Sequence, residues 1–292
     1  MRIANVQRRA CFVVPEGFVD INVASEGRFS SEVREVVADM ASLRAWYDTL
    51  GLLDPDDDEL AALETDERLG CVVDGPRQVF AIGLNYRAHA AEMGLANPTL
   101  PMVFTKFPSC LAGQHAEVPV VSATTDWEAE LVVVIGTGGR DVPLNSALDV
   151  VAGFAVGQDV SERTLQMSGS PAQFSLGKSW KNFGPIGPWI TTLEHLTDVH
   201  DLGITCAING TTHQDSRTSD MVFSVAEVVS YLSSVVELFP GDVIFTGSPF
   251  GVGQGLHPQQ FLQPGDEIVT SIESLGTLRN YAVAPGGRAG EI

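Results

Sequence analysis

Short apolar runs rich in Val, Ile and Phe recur from about residue 76 onward, and Gly, Pro, Asn and Asp residues separate them. Runs of this length, with β-branched side chains and turn residues at both ends, predict strands. The predicted strands lie within residues 79–86, 129–136, 150–160, 203–210, 242–249 and 266–283. Helical patterns are clear only over residues 146–151 and 223–238. Because strands dominate, we expect a mixed, β-rich α+β fold, either stacked sheets or a barrel.

Residues 1–75 follow a different pattern. Residues 9–23 predict a hairpin that turns at Pro15-Glu16-Gly17. Residues 30–51 predict one helix with a serine cap at its start and Gly51 at its end. The acidic residues 54–70 predict a loop with a short helix. We therefore expect a small N-terminal α+β domain over residues 1–75 and a second domain over residues 76–292.

Composition narrows the class of protein. Of 292 residues, 44% are hydrophobic and 18% charged, so the chain can bury a core and is not a disordered chain. Its net charge of -20 disfavours nucleic acid and anionic membrane surfaces as partners. The four cysteines are far apart, and no stretch approaches the ~18 apolar residues of a membrane helix. We expect a cytoplasmic protein with reduced thiols and neither a membrane nor a nucleic-acid partner.

An acidic stretch, DWEAE at residues 126–130, runs directly into an apolar run. Side chains alternate along a strand, so a strand that began at Asp126 would place Asp126, Glu128 and Glu130 on one face. Asp159 ends another predicted strand and would either cap a helix or join these carboxylates. Buried carboxylates repel one another, and a hard cation such as Mg²⁺ or Mn²⁺ would offset that repulsion. The pattern therefore indicates a divalent-metal site.

Other patterns carry candidate chemistry. His89 and Glu92 lie three residues apart, so on a helix they form either a general base with its orienting carboxylate or a surface pair. Lys178 and Lys181 lie in a Gly/Pro-rich loop, where they would either bind an anionic substrate or stay solvated. Two glycine-rich stretches, residues 134–142 and 246–255, lack the spacing of a dinucleotide-binding fingerprint.

Several motifs occur together in a specific order. They are AIGLNYRAHAAE, PMVFTKFPSCLAG, DWEAELVVVIG, GFAVGQDVSERTLQ, GKSWKNFGPIGPW, INGTTHQDSRTSDMVFSVAEVVSYLS, LFPGDVIFTGSPFGVGQG, FLQPGDEI and GTLRN. With these motifs the chain resembles the fumarylacetoacetate hydrolase family over roughly residues 76–285, in particular its acylpyruvase and 2-hydroxyhepta-2,4-diene-1,7-dioate isomerase-like branch. The resemblance implies a β-roll of stacked sheets with a small N-terminal domain, and a homodimer.

The resemblance also implies roles for residues at the matching positions. It implies Glu128, Glu130 and Asp159 as ligands of Mg²⁺ or Mn²⁺. It implies catalytic roles for His89, Glu92, Lys178 and Gln166, and substrate contacts for Arg163, Tyr86, Thr246 and Ser248. Ser248 stands where the family usually has threonine and keeps the hydroxyl for a substrate hydrogen bond. Lys181 stands where many members have an acid, and this departure bears on substrate preference and not on the metal site.

The implied reaction is hydrolysis of a carbon–carbon bond in an acylpyruvate-type 2,4-dioxo acid, through an enolate held by the cation. The substrate is a small 2-oxo acid, and His89 oriented by Glu92 would activate the attacking water. The same site could instead decarboxylate an oxaloacetate-type acid or isomerise a 2-hydroxy-dienoate acid. An inactive scaffold with this fold is a third hypothesis, which the retained carboxylates disfavour.

Overall fold

In a computed structural model of the chain, residues 1–286 are described, and residues 287–292 of the predicted second domain lie outside them. Strands take up much of the described chain. They are β1 (Arg2–Val6), β2 (Arg9–Val14), β3 (Gly17–Asp20), β4 (Val79–Gly83), β5 (Met102–Thr105), β6 (Leu111–Ala112), β7 (Glu117–Pro119), β8 (Thr125–Asp126), β9 (Ala129–Ile135), β10 (Val151–Gln158), β11 (Ser161–Glu162), β12 (Gly184–Thr191), β13 (Gly203–Ile208), β14 (Thr211–Arg217), β15 (Val243–Phe245), β16 (Glu267–Ile272) and β17 (Gly276–Val283).

The helices between these strands are mostly short. They are α1 (Ile21–Ala24), α2 (Val33–Val36), α3 (Met40–Leu50), α4 (Asp57–Leu63), α5 (Arg87–Glu92), α6 (Arg163–Gln166), α7 (Phe174–Gly177) and α8 (Val225–Val235). Turns of 3-10 helix cover Val37–Asp39, Pro108–Cys110, Leu144–Val150, Leu193–His195, Thr218–Asp220 and Gly253–Gly255. No helix within residues 1–286 is long and apolar enough to cross a membrane.

Two large sheets stack on each other. One has ten strands in the order β3-β2-β1-β12-β10-β9-β15-β4-β5, with β6 attached to β12. The other has five strands in the order β14-β13-β16-β17-β7. A fully buried apolar cluster joins them, with Val133 and Phe154 from the first sheet and Ile204 and Leu278 from the second. The expected mixed, β-rich α+β class with stacked sheets is confirmed.

The first 75 residues extend the large sheet. The predicted hairpin forms as β2 and β3, and β1 pairs antiparallel with β12, with Ile3 opposite Ile190. The predicted single helix over residues 30–51 is wrong in one respect, because the Asp39 carboxylate accepts the Ser42 N–H and starts a new helix, α3. Glu32, not a serine, precedes α2, whereas Gly51 ends α3 in a left-handed conformation as expected. The domain boundary at residue 75 stays a prediction.

Four strands of the large sheet have an end at the same edge of the sheet, the edge that lies across the strand ends. β9 runs antiparallel to β10 and to β15, and β15 runs parallel to β4. The start of β9 therefore lies beside the ends of β10, β15 and β4. The segments that leave the sheet here are the acidic stretch, Asp159, the glycine-rich residues 246–255 and α5. This edge brings together segments that are more than 150 residues apart in sequence.

Candidate active site

Three buried carboxylates lie at this edge. Glu128 precedes β9, Glu130 lies within β9, and Asp159 follows β10. The pairing of β9 with β10 sets Glu130 opposite Gly157, and the Asp159 N–H donates to the Glu128 carbonyl at 2.9 Å. Each of the three residues is at most 6% exposed, and one carboxylate oxygen from each lies within 4.8 Å of the others. The structure thus brings the three expected metal ligands into one cluster.

Positive side chains surround this cluster. Lys178 Nζ lies 2.5 Å from Glu128 Oε2 and 2.7 Å from Asp159 Oδ2. Arg163 Nη1 lies 2.6 Å from Glu128 Oε1. Lys106, which sequence reasoning missed, is fully buried and places its Nζ 2.6 Å from Asp159 Oδ1. Its sequence signals are its position just after the apolar residues 102–104 and its place in the PMVFTKFPSCLAG motif.

The carboxylates of this cluster differ in protonation. Burial opposes the ionisation of Glu128, but Lys178 and Arg163 outweigh it and lower the pKa of Glu128 to about 2. Burial raises the pKa of Glu130 well above its usual value, and the negative charges of Asp159 and Glu128 add to that rise. The Gly247 N–H, 2.7 Å from Glu130 Oε2, opposes it. Burial of a third negative charge beside Glu128 and Asp159 is therefore opposed at Glu130, and a cation at this cluster would offset that cost.

Asp126 is not among the three clustered carboxylates; it lies in β8, which pairs with β11 in a separate two-stranded sheet, and residues 127–128 belong to no strand. Its carboxylate accepts from Arg163 Nε at 2.8 Å and from the backbone N–H groups of Gly253 and Gln254 at 2.7 and 3.0 Å. A strand that runs without interruption from Asp126 through Glu130 does not form, although Arg163 bonds both Asp126 and Glu128. Through Arg163, Asp126 links the glycine-rich residues 246–255 to a ligand of the cluster.

The expected His–Glu pair forms on α5. His89 Nδ1 lies 2.9 Å from Glu92 Oε2, and the other Glu92 oxygen accepts the Gly251 N–H at 2.9 Å. The helix ends at Met93, and Gly94 follows with φ of 69°. With Nδ1–H donating to a carboxylate, the His89 Nε2 is left as a proton acceptor. The arrangement suits a general base.

One cavity contains most of these groups, with about 640 Å³ of space when its open mouth is included. Its lining includes the predicted site residues His89, Glu128, Glu130, Arg163, Gln166, Lys178 and Ser248. Asp159 and Glu92 lie behind this lining, bonded to Lys178 and His89. The cavity therefore places the carboxylate cluster and the candidate base within one enclosure.

Two predicted substrate-contact residues do not line this cavity. The Thr246 hydroxyl donates to the Leu131 carbonyl at 2.8 Å, so it braces β9. Tyr86 is fully buried in the core, and its hydroxyl has no hydrogen-bond partner within the described residues. Lys181 is exposed and also lies outside the lining. Ser248 does face the cavity, and its oxygen accepts from Gln214 Nε2 at 2.9 Å.

A family model described as the C-terminal part of fumarylacetoacetate (FAA) hydrolase matches residues 78–283. Among curated relatives, the mitochondrial oxaloacetate tautomerase FAHD2A of Bos taurus is 41% identical over 210 residues, which cover 71% of this chain and 67% of the relative. The 2,4-didehydro-3-deoxy-L-rhamnonate hydrolase of Sphingomonas sp. strain SKA58 is 44% identical over 223 residues, which cover 75% and 78%.

Solved structures share the whole fold. An HpcE protein from Mycobacterium smegmatis has a TM-score of 0.90 and 44% identity, covering 98% of this chain and 100% of that one. A maleylpyruvate hydrolase from Sphingobium sp. SYK-6, solved with manganese(II) and pyruvate, has a TM-score of 0.77 and 25% identity, covering 97% and 99%. The metal and pyruvate belong to that structure.

Proposed function

Since this chain belongs to the fumarylacetoacetate hydrolase family, we propose that it hydrolyses a carbon–carbon bond in an acylpyruvate-type 2,4-dioxo acid. It is an enzyme acting on ketonic compounds, as its hydrolase, isomerase and tautomerase relatives are. The observation that carries the proposal is the pairing, in one cavity, of a buried carboxylate cluster with a carboxylate-oriented histidine.

The donor set fits a hard divalent cation. Glu128, Glu130 and Asp159 offer only oxygen ligands and are buried, and the ionisation of Glu130 is opposed by burial and by the charges of the other two. We propose that these residues hold Mg²⁺ or Mn²⁺. When bound, such a cation supplies positive charge that stabilises negative charge developing on the oxygens of a 2-oxo acid.

His89 acts on water in this proposal. Glu92 holds the Nδ1–H, so Nε2 takes a proton from the water that attacks the carbonyl carbon C4 of the substrate. The bond between C3 and C4 then breaks, and its electron pair leaves as the enolate of pyruvate. A proton transferred to C3 completes pyruvate, and the other product is the carboxylic acid of the acyl group. Lys178 and Gln166 line the cavity and stabilise the developing negative charge.

A product assay tests the reaction class. The purified chain with Mg²⁺ is incubated separately with a 2,4-dioxo acid, oxaloacetate and a 2-hydroxy-dienoate acid. We expect pyruvate and a carboxylic acid from the first, and no turnover in excess EDTA. Turnover only of oxaloacetate to CO₂, or only a shifted double bond, would contradict hydrolysis.

An enolising enzyme is the second candidate. The relative from Bos taurus, an oxaloacetate tautomerase, favours it. Enolisation or decarboxylation needs no attacking water, so the same cluster with a single base is enough. In that case oxaloacetate, not a 2,4-dioxo acid, would be the better substrate in the product assay.

A further inference from the structure

The lining of the cavity is uneven in polarity. Its charged groups gather at the cluster, because the carboxylate oxygens lie within 4.8 Å of one another and Lys178 and Arg163 are bonded to them. Much of the remaining lining is apolar. It includes Met93, Leu95, Met102, Met167, Phe174 and Val252. These six come from three stretches of the chain, residues 93–102, residues 167–174 and Val252, and together we call them the apolar wall.

Positive charge for a second anionic group is missing from this wall. Within residues 1–286, the lysine and arginine side chains that line the cavity are Lys178 and Arg163. Lys178 is bonded to Glu128 and Asp159, and Arg163 is bonded to Asp126 and Glu128. The remaining charged candidate, His89, is held by Glu92. A carboxylate on the far end of a substrate would therefore meet neutral groups, mostly methyl, methylene and aromatic, with the amide of Gln254 among them, and burying it there without a cation would be unfavourable.

We propose that the substrate carries a neutral, apolar acyl tail, and that the apolar wall selects against substrates with a second carboxylate on that tail. The inference rests on the proposed function, because it takes the charged cluster as the place of the 2-oxo acid head. Leu95 and Met167, each 53% exposed, are the apolar groups that such a tail would cover. Each methylene that the wall buries tightens binding about fourfold.

Binding tests the inference apart from turnover. The probes are 2-oxohexanoate, with an alkyl tail, and 2-oxoadipate, of similar length with a terminal carboxylate. Each is titrated by calorimetry into the chain with Mg²⁺. We expect 2-oxohexanoate to bind at least tenfold more tightly than 2-oxoadipate. Equal affinities, or tighter binding of 2-oxoadipate, would overturn the inference.

A charge on the wall should reverse this preference. Met167→Lys places an ammonium group at the exposed part of the wall, where folding should tolerate it. We expect this substitution to raise the affinity for 2-oxoadipate about tenfold and to lower the affinity for 2-oxohexanoate. Leu176→Lys is the control, because Leu176 is 59% exposed and lies outside the lining. Met167→Leu should keep the wild-type preference. Equal effects of the two lysine substitutions would show that bulk charge, not the wall, sets the preference, and would also overturn the inference.

Kinetics separate this inference from the proposed function. The chain is assayed for pyruvate release from 2,4-dioxo acids with an alkyl tail and with a carboxylate-terminated tail. Equal kcat/KM for the two would overturn the tail inference and leave the hydrolase standing. Tighter binding of 2-oxohexanoate with no pyruvate from either compound would overturn the hydrolase and leave the tail inference standing.

Discussion

The carboxylate cluster and helix α5 are held in place in different ways. The three acids project from the adjoining ends of β9 and β10, are buried, and have buried cations or backbone groups as partners. His89 instead lies on a helix of six residues, followed by Gly94 and an exposed segment that includes Leu95 and Leu100. So short a helix is marginal by itself. The cluster is therefore anchored at the ends of sheet strands, whereas His89 depends on a short helix and its bond to Glu92, and we expect substitutions to separate the two functions.

The largest loss of activity is expected from a substitution in the carboxylate cluster. Glu128→Gln removes the carboxylate that bonds both Lys178 and Arg163, and two remaining carboxylates hold a hard cation poorly. We expect neither cation binding in calorimetry nor detectable turnover, and excess EDTA should have the same effect on turnover in the wild type. Glu237→Gln, at an exposed position, is the matched control. Full activity of Glu128→Gln in metal-free buffer would refute the metal site.

The next largest loss of turnover is expected from substitutions in helix α5. His89→Ala should lower turnover by about 10²–10⁴, the usual range for a lost general base, while cation affinity stays within about twofold of wild type. Glu92→Gln should lower turnover less, because it disturbs the orientation of His89 without removing the base. His200→Ala, at an exposed position outside the cavity, is the control. If His89→Ala hydrolyses its substrate at the wild-type rate, the enolising candidate becomes the better one.

A smaller effect should come from the link between the two regions. Asp126→Asn weakens the bond to Arg163 and leaves that buried guanidinium with Glu128 as its remaining carboxylate partner. Breaking such a pair should lower the free energy of unfolding by about 3 kcal/mol, and the displaced Arg163 should lower cation affinity by about 10–100-fold. Urea unfolding and calorimetry measure the two. The control is Asp141→Asn, at an exposed ion pair, which should change neither the free energy of unfolding nor the cation affinity. An unchanged cation affinity in Asp126→Asn would mean that Arg163 is positioned without Asp126.

Sequence patterns predicted the cluster because its members are near the ends of strongly apolar strands. Strand alternation correctly placed Glu128 and Glu130 close together, but it could not show that residues 127–128 interrupt the strand or that Arg163 bonds Asp126. Lys106 was missed because its partner, Asp159, is 53 residues away in sequence. Likewise, Glu92 and Gly251 are 159 residues apart. Such partners follow from the stacking of strand ends, which local patterns do not encode.

Helix α8 shows that sequence patterns also do not determine whether a helix contributes to a subunit interface. It lies within the helical pattern of residues 223–238, and the family resemblance implied a homodimer. In the structure, Val225, Val229 and Leu232 are buried within the subunit, whereas Glu227 and Ser234 are exposed. One face of the helix thus packs in the core of the subunit, and the exposed residues of the helix also include Val235, which is 61% exposed. The homodimer and the cytoplasmic location stay predictions.

The smallest effect should come from Glu64, which lies outside the carboxylate cluster and helix α5. A substitution there should change the pH dependence of the free energy of unfolding and leave the activity unchanged. Burial raises the pKa of Glu64 to about 7, although the Thr277 N–H, 3.0 Å from its Oε1, opposes that rise. The folded state therefore binds a proton more tightly than the unfolded state, and stability should fall as the pH rises from about 4.5 to about 7. The glutamine in Glu64→Gln stays neutral, so we expect this variant to be about 1–2 kcal/mol more stable than wild type at pH 8. The gain is smaller than the full pKa shift implies, because Glu64 is partly exposed and solvent screens its charge. Below pH 4.5 this advantage should vanish, and turnover at 25 °C should stay at the wild-type level throughout. Urea unfolding at pH 4, 6 and 8 measures the change, with the exposed Glu67→Gln as control. An advantage that does not change with pH would mean that Glu64 affects stability through packing and not through its charge.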